Sequence, residues 1–368
     1  MWRLLAFLAA LLVAGPAFAI DAPVLTLTSA GDIAAARTSL ISKMYGGSRS
    51  TLPTTLPTVV QGVSDPYGGS LGVSLARVDQ YTASLAFGQT NVSLLYIPTV
   101  WNGNYVFINP GHQGTCNWPS FNSSYQIPGA MTALLNAHYA VFALNMPNYT
   151  PTYPNCGDVN ANDAIFADHG AAAMQVFIEP AVQAMNYWDA NGGPGFYGMT
   201  GLSGGGWTTT VVPAVDTRIL VSVPIAGSLP TIYFPSPCSA IDPGTAEQQA
   251  VSYFTIAGYL DQYLMGSAGP GRVQLQILNI HDNCCFGPDV LEWTATCASR
   301  NGGMTWYQFT NANLRQMQSW QVPNGYNFAP DYYATSHQIS AWAAALMVAT
   351  FQTYLHAPPT GVGVLAAH

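Results

Sequence analysis

Ser203 stands in Gly201-Leu202-Ser203-Gly204-Gly205, a G-x-S-x-G pattern, and Gly206 extends the run. A serine presented on a sharp turn between small residues can attack an acyl carbon. The turn is so tight that its neighbours must lack side chains. A hydroxyl is a poor nucleophile until a base removes its proton. Seven histidines could supply that base: His112, His138, His169, His281, His337, His356 and His368. A phosphate-binding loop would require Lys followed by Ser or Thr after the glycines, and Trp207-Thr208 stand there instead.

Around this serine the hydrophobic pattern predicts a strand over Phe196–Thr200 and a helix over Gly204–Val215. That is the strand–turn–helix setting the motif needs, and it puts Ser203 at a helix N-terminus, where positive partial charge favours an oxyanion. Upstream, a helix is expected over Ile33–Met44, followed by a Gly/Ser/Thr/Pro-rich stretch, Gly46–Pro57. Ala76–Ala86 and Asn91–Ile97 alternate as a hairpin around Gly88-Gln89. Then come strand Tyr105–Asn109, helix Ile127–Ala137, strand Tyr139–Leu144 and a long helix, Ala171–Asn191, carrying Pro180. After the elbow the order continues with strand Ile219–Ile225, helix Val251–Met265, strand Val273–Ile280, strand Met304–Phe309 and a closing helix, Gln338–Leu355. Short apolar strands alternating with helices imply a mostly parallel sheet covered on both faces, with its site at the strands' carboxyl ends. Asn148–Asp168 and Leu229–Gln249 are rich in Pro, Asn, Ser and Gly and are candidates for a small lid or a substrate-binding rim.

The Gly201–Trp207 elbow, with this order of elements over most of residues 80–356, resembles the α/β-hydrolase superfamily. The resemblance implies an α/β-hydrolase fold and the chain order nucleophile, acid, base. His337, just before the closing helix, takes the place of the base, with His281 as its rival. Asp282 follows strand Val273–Ile280 and takes the place of the acid; Asp261 and Asp289 are alternatives. The resemblance also implies two oxyanion donors. One is the backbone N–H of Gly204, after the nucleophile. The other is in Gly111-His112-Gln113-Gly114, which is similar to the family's His-Gly loop but has Gln113 where a glycine is usual. Gln113 is the expected donor, with Gly114 next, and His112 is expected to orient the loop.

Only 7% of the 368 residues are charged, Lys43 is the one lysine, and the formal net charge is -8. No basic patch exists to bind phosphates, so nucleic acid is not an expected partner. Arg3, the apolar run Leu4–Ala14, and Ala17-Phe18-Ala19 read as a signal peptide over residues 1–19. The run is shorter than a membrane span, so no stable anchor is expected. A leader (20–75) and a catalytic domain (76–368) would follow, in a secreted or periplasmic protein. Six cysteines, Cys116, Cys156, Cys238, Cys284, Cys285 and Cys297, then suggest disulfides: Cys116 with Cys156, and the adjacent pair outward to Cys238 and Cys297. No metal or other cofactor is expected. The reading is an esterase acting on a small or polymeric ester, with Trp207, Trp118 and Tyr149 lining the cleft, helped by Tyr153, Tyr233 and Phe234. A serine peptidase of the same fold and a non-catalytic binding module are the alternatives. The sequence does not indicate an oligomeric state.

Overall fold

The structure, a computed structural model, describes residues 25–65, 69–112, 125–147, 159–228, 246–248, 250–282, 284 and 325–356. The expected signal peptide, Gln113, Trp118, Tyr149, Tyr153, Tyr233, Phe234, Asp289, most of both lid candidates and strand Met304–Phe309 lie outside the described residues.

Nine strands form one sheet among the described residues: β1 (Thr58–Val60), β2 (Leu75–Ser84), β3 (Thr90–Pro98), β4 (Tyr105–Asn109), β5 (Ala140–Ala143), β6 (Tyr197–Leu202), β7 (Ile219–Ile225), β8 (Val273–Asn279) and β9 (Gly325–Asp331). Their order is β1-β2-β3-β5-β4-β6-β7-β8-β9. The first three strands and the β3–β5 pair are antiparallel, and every later neighbour is parallel. An antiparallel start, the exchange of β5 and β4, and a parallel remainder make this the α/β-hydrolase fold.

The central strands are buried on both faces, so apolar residues dominate them, and the polar residues they do carry, such as Thr200, Ser222, Gln274 and Gln276, are hydrogen-bonded inside the core. Phe107 and Phe142 point to one side, where α1 (Ala30–Met44), α4 (Met174–Ala190), α5 (Gly204–Val215) and α7 (Tyr259–Ser267) pack. Val106, Ile108 and Val141 point to the other, against α2 (Ile127–Asn136) and the closing helix, here α8 (Ala341–Tyr354). The leader helix α1 belongs to the same core, since Leu40 and Met44 are fully buried.

Three elements differ from expectation. The segment read as irregular up to Asp168 holds a helix, α3 (Val159–His169). The helix expected over Val251–Met265 is two pieces, α6 (Val251–Phe254) and α7. The break is at Gly258, whose extended backbone caps α7 while Asp261 takes its N–H. The last strand, Gly325–Asp331, was not expected, because Asn327 and Pro330 spoil a strand pattern. It survives as an edge strand paired to β8 alone, the position that tolerates proline.

Candidate active site

Ser203 joins β6 to α5 with φ 59° and ψ -129°. An L-residue pays roughly 1–3 kcal/mol to sit in such a region, so the surroundings must hold it there. They do so by close approach. The Ser203 N–H donates to Ile225 O (3.1 Å), and the Trp207 N–H to Ser203 O (2.8 Å). A methyl group on Gly205 would lie 2.0 Å from Asn109 O, so only glycine lets α5 pass the end of β4. Gly111, at φ 78°, flanks the serine on the other side. A Cβ there would lie 3.1 Å from Ser203 Cβ and 3.2 Å from Gly204 N. The loop after β4 therefore runs directly beside the serine and the Gly204 N–H.

Asp282 and His337 meet. Nδ1 of His337 is 2.6 Å from Oδ2 of Asp282, and both side chains are buried. Asp282 Oδ1 accepts the Cys284 N–H (2.9 Å), which fixes the carboxylate plane. Asp282 follows β8 and Ser203 follows β6, so both lie at the carboxyl edge of the parallel strands.

Four groups that the sequence reading did not single out hold the His337 loop there. Asn279, fully buried at the end of β8, donates through Nδ2 to Gln338 O (2.8 Å) and Ser336 O (3.4 Å), gripping the backbone on both sides of the histidine. Asp331, at the end of β9, accepts the N–H groups of Tyr333 and Ala334 on Oδ1 and the Ser340 hydroxyl on Oδ2 (2.6 Å). Ser340 in turn caps α8 by accepting the Ala343 N–H. Tyr125 O accepts the Ile339 N–H, and the Tyr125 ring meets the imidazole edge-on at 5.6 Å. Strand ends are the one legible signal here: Asn279 and Asp331 are polar residues closing the two strands beside the acid.

The rivals are placed elsewhere. His281 is exposed. Asp261 is buried but committed to the leader, accepting Thr26 N–H (2.9 Å), Leu27 N–H (3.1 Å), the Thr26 hydroxyl (2.8 Å) and Gly258 N–H (3.2 Å). Trp207 corrects an expectation. It is fully buried, packs edge-on against Phe177, and donates its indole N–H to Tyr259 OH (3.0 Å). It is a core residue of α5 rather than a cleft wall, because the elbow helix is buried along its whole length. Among the described residues no group of three or more His, Cys, Asp or Glu side chains gathers as a metal site. No described helix is long and apolar enough to cross a membrane.

No protein-family model matches the chain, and no curated protein matches it. Solved structures do. One is a cold-adapted esterase from an Arctic intertidal metagenomic library, 13% identical, covering 81% of this chain and 100% of that one, with a TM-score of 0.48. Another is acetyl xylan esterase 1 from Thermoanaerobacterium sp., 13% identical over 89% of this chain and 96% of that one, TM-score 0.49. A third is a puromycin-hydrolysing peptidase of Mycobacterium tuberculosis, 15% identical, covering 78% of this chain but 40% of that one, TM-score 0.49.

Proposed function

We propose that this chain, which has the α/β-hydrolase fold, is an exported serine hydrolase that cleaves carboxylic esters through an acyl-enzyme on Ser203. The observation that carries the reading is the backbone of Ser203, φ 59° and ψ -129°, held at the head of a buried helix with Gly111 packed beside it. A costly conformation at a hydroxyl-bearing residue argues for a role of that hydroxyl.

In this reading the Ser203 oxygen attacks the ester carbonyl while Nε2 of His337 takes its proton. Asp282 engages Nδ1, which fixes the tautomer that leaves Nε2 as acceptor and then stabilises the imidazolium. The oxyanion faces the Gly204 N–H at the head of α5, where the helix dipole adds to the hydrogen bond, and Gln113 remains the proposed second donor. His337 returns the proton to the leaving alcohol, and water, activated by the same imidazole, releases the acid. Trp118 and Tyr149 remain the proposed cleft residues. Cystines holding the loops around Cys116 and Cys284 belong to the same proposal, as does a substrate class of acylated polysaccharide, lipid or polyester.

The test is labelling by a fluorophosphonate, with the modified peptide identified by mass spectrometry, beside assays on p-nitrophenyl esters and peptide p-nitroanilides. Modification at Ser203 with ester turnover supports the reading. Turnover of the anilides alone would replace it with a peptidase. No labelling and no turnover would leave a binding module.

A further inference from the structure

A second carboxylate–imidazole pair lies against the elbow. Glu247 is fully buried, and among the described residues no hydrogen bond reaches either of its carboxylate oxygens. Its charge answers instead to His112, whose Nε2 is 3.2 Å from Oε1. Burying a carboxylate is costly unless an opposite charge answers it, which makes His112 the partner that matters among the described residues.

The far edge of His112 meets the elbow. A Cβ on Gly204 would lie 2.6 Å from His112 Cε1 and 2.9 Å from Nδ1, so the imidazole fills the space over the residue whose N–H faces the oxyanion. His112 also immediately precedes Gln113, the second expected donor. The turn carrying Glu247 is itself pinned. Ala246 N–H donates to Asp163 on α3 (2.9 Å), and Gln248 O accepts the Tyr259 hydroxyl (3.0 Å). Tyr259 accepts the indole N–H of Trp207, on the first turn of α5. The path from Gly204 through His112, Glu247, Gln248, Tyr259 and Trp207 thus returns to the helix it left.

We propose that Glu247 is a positioning residue for the oxyanion side of the site: it holds His112 against Gly204 and so fixes the Gly204 backbone donor. This rests on the reading of Ser203 as nucleophile. Donors aimed at the oxyanion act in the transition state, so misaligning them lowers kcat rather than raising KM.

The experiment first titrates the wild-type chain with a fluorophosphonate and measures p-nitrophenyl ester turnover. Failure at that step removes the nucleophile reading and says nothing about Glu247. With it in place, Glu247→Gln, Glu247→Ala, His112→Ala and the double variant Glu247→Ala/His112→Ala are compared as kcat per titrated site. The expected result is a loss of about 10- to 100-fold in kcat for each single variant, with KM within about 3-fold, since one oxyanion donor is worth at least that much. Affinity for phenylboronic acid should fall by the same factor as kcat/KM. The double variant should be no slower than His112→Ala, because the two residues act as a unit. If Glu247→Ala does not fold, Glu247→Gln, which keeps the volume, and its double with His112→Ala carry the test. Wild-type kcat in Glu247→Gln, losses that multiply in the double variant, or a loss confined to KM or to the fraction of titratable sites would each overturn the proposal.

Discussion

At its N-terminal end α5 begins with Ser203 and three glycines and carries no charged side chain. At its C-terminal end a buried and a half-buried guanidinium group close the last carbonyls. Arg272 Nη2 donates to Pro213 O (2.6 Å), and Arg37 Nε donates to Ala214 O (3.0 Å). Arg272 reaches further, to Met265 O, Ala268 O and Ile219 O. Burial lowers the proton affinity of both; for Arg272 the Arg37 charge adds to this while Asp216 opposes it. Nine Lys and Arg residues serve the whole chain, and two of them are spent here. Cations complement the negative end of the helix dipole. The contrast separates two tasks along one helix. Its carbonyl end is closed by cations of the protein, whereas its first turn is glycine and carries no charged side chain of its own, which leaves the Gly204 N–H to a substrate oxygen.

The largest expected effect breaks the reaction end alone. Ser203→Ala should lower kcat by about 10⁴-fold or more and abolish fluorophosphonate labelling, with thermal unfolding unchanged. Asp282→Asn should cost about 10⁴-fold in kcat by admitting the wrong imidazole tautomer, again with little loss of stability. Asp261→Asn, by contrast, should leave kcat within about 2-fold while loosening the leader by about 1–3 kcal/mol, because a hydrogen-bonded carboxylate is lost from a buried cluster. A dead Asp261→Asn beside an active Asp282→Asn would reverse the two assignments. At the other end of α5, Arg272→Met should destabilise the fold by about 3–5 kcal/mol in urea titrations, since several buried carbonyls lose their donor. Its kcat per titrated site should stay within about 2-fold. A large fall in kcat at unchanged stability would show that the two ends are not separate.

The elbow was legible because its demand falls on consecutive residues: five positions carry both the strained turn and the glycines that permit it. Strands β4 and β7 were legible to the residue because burial on both faces makes each a short, mostly apolar run. Asp282 and His337 could be proposed from chain order. Their contact could not be, because it depends on Asn279 and Tyr125, remote in sequence, and on Asp331, groups that hold the loop largely through its backbone. Glu247 left no signal at all: a lone acid in a polar loop looks solvated until a histidine 135 positions earlier is folded onto it. Trp207 was misread for the opposite reason. Its indole is large and close in sequence to Ser203, but helical geometry turns it from the site into the core. The first residues of the leader were opaque because Asp261 holds them largely through the backbone N–H groups of Thr26 and Leu27, which any sequence would offer.

The smallest expected effect tests whether the N-terminal end of α5 is strained as its backbone implies. Ser203→Ala removes the hydroxyl but keeps Cβ, so the unfavourable φ of 59° persists and stability should not rise. Ser203→Gly removes Cβ as well. Glycine accepts this region freely, which relieves roughly 1–3 kcal/mol, but it also gives the unfolded chain roughly 0.5–1 kcal/mol of extra entropy. The net gain over Ser203→Ala should be about 1 kcal/mol, visible as a higher urea midpoint at unchanged slope. Both variants are inactive, so the comparison is free of any effect of turnover. Equal stability in the two would mean that the turn costs the serine nothing. The contrast between the ends of α5 would then rest on charge alone, without a conformational cost at the reacting end.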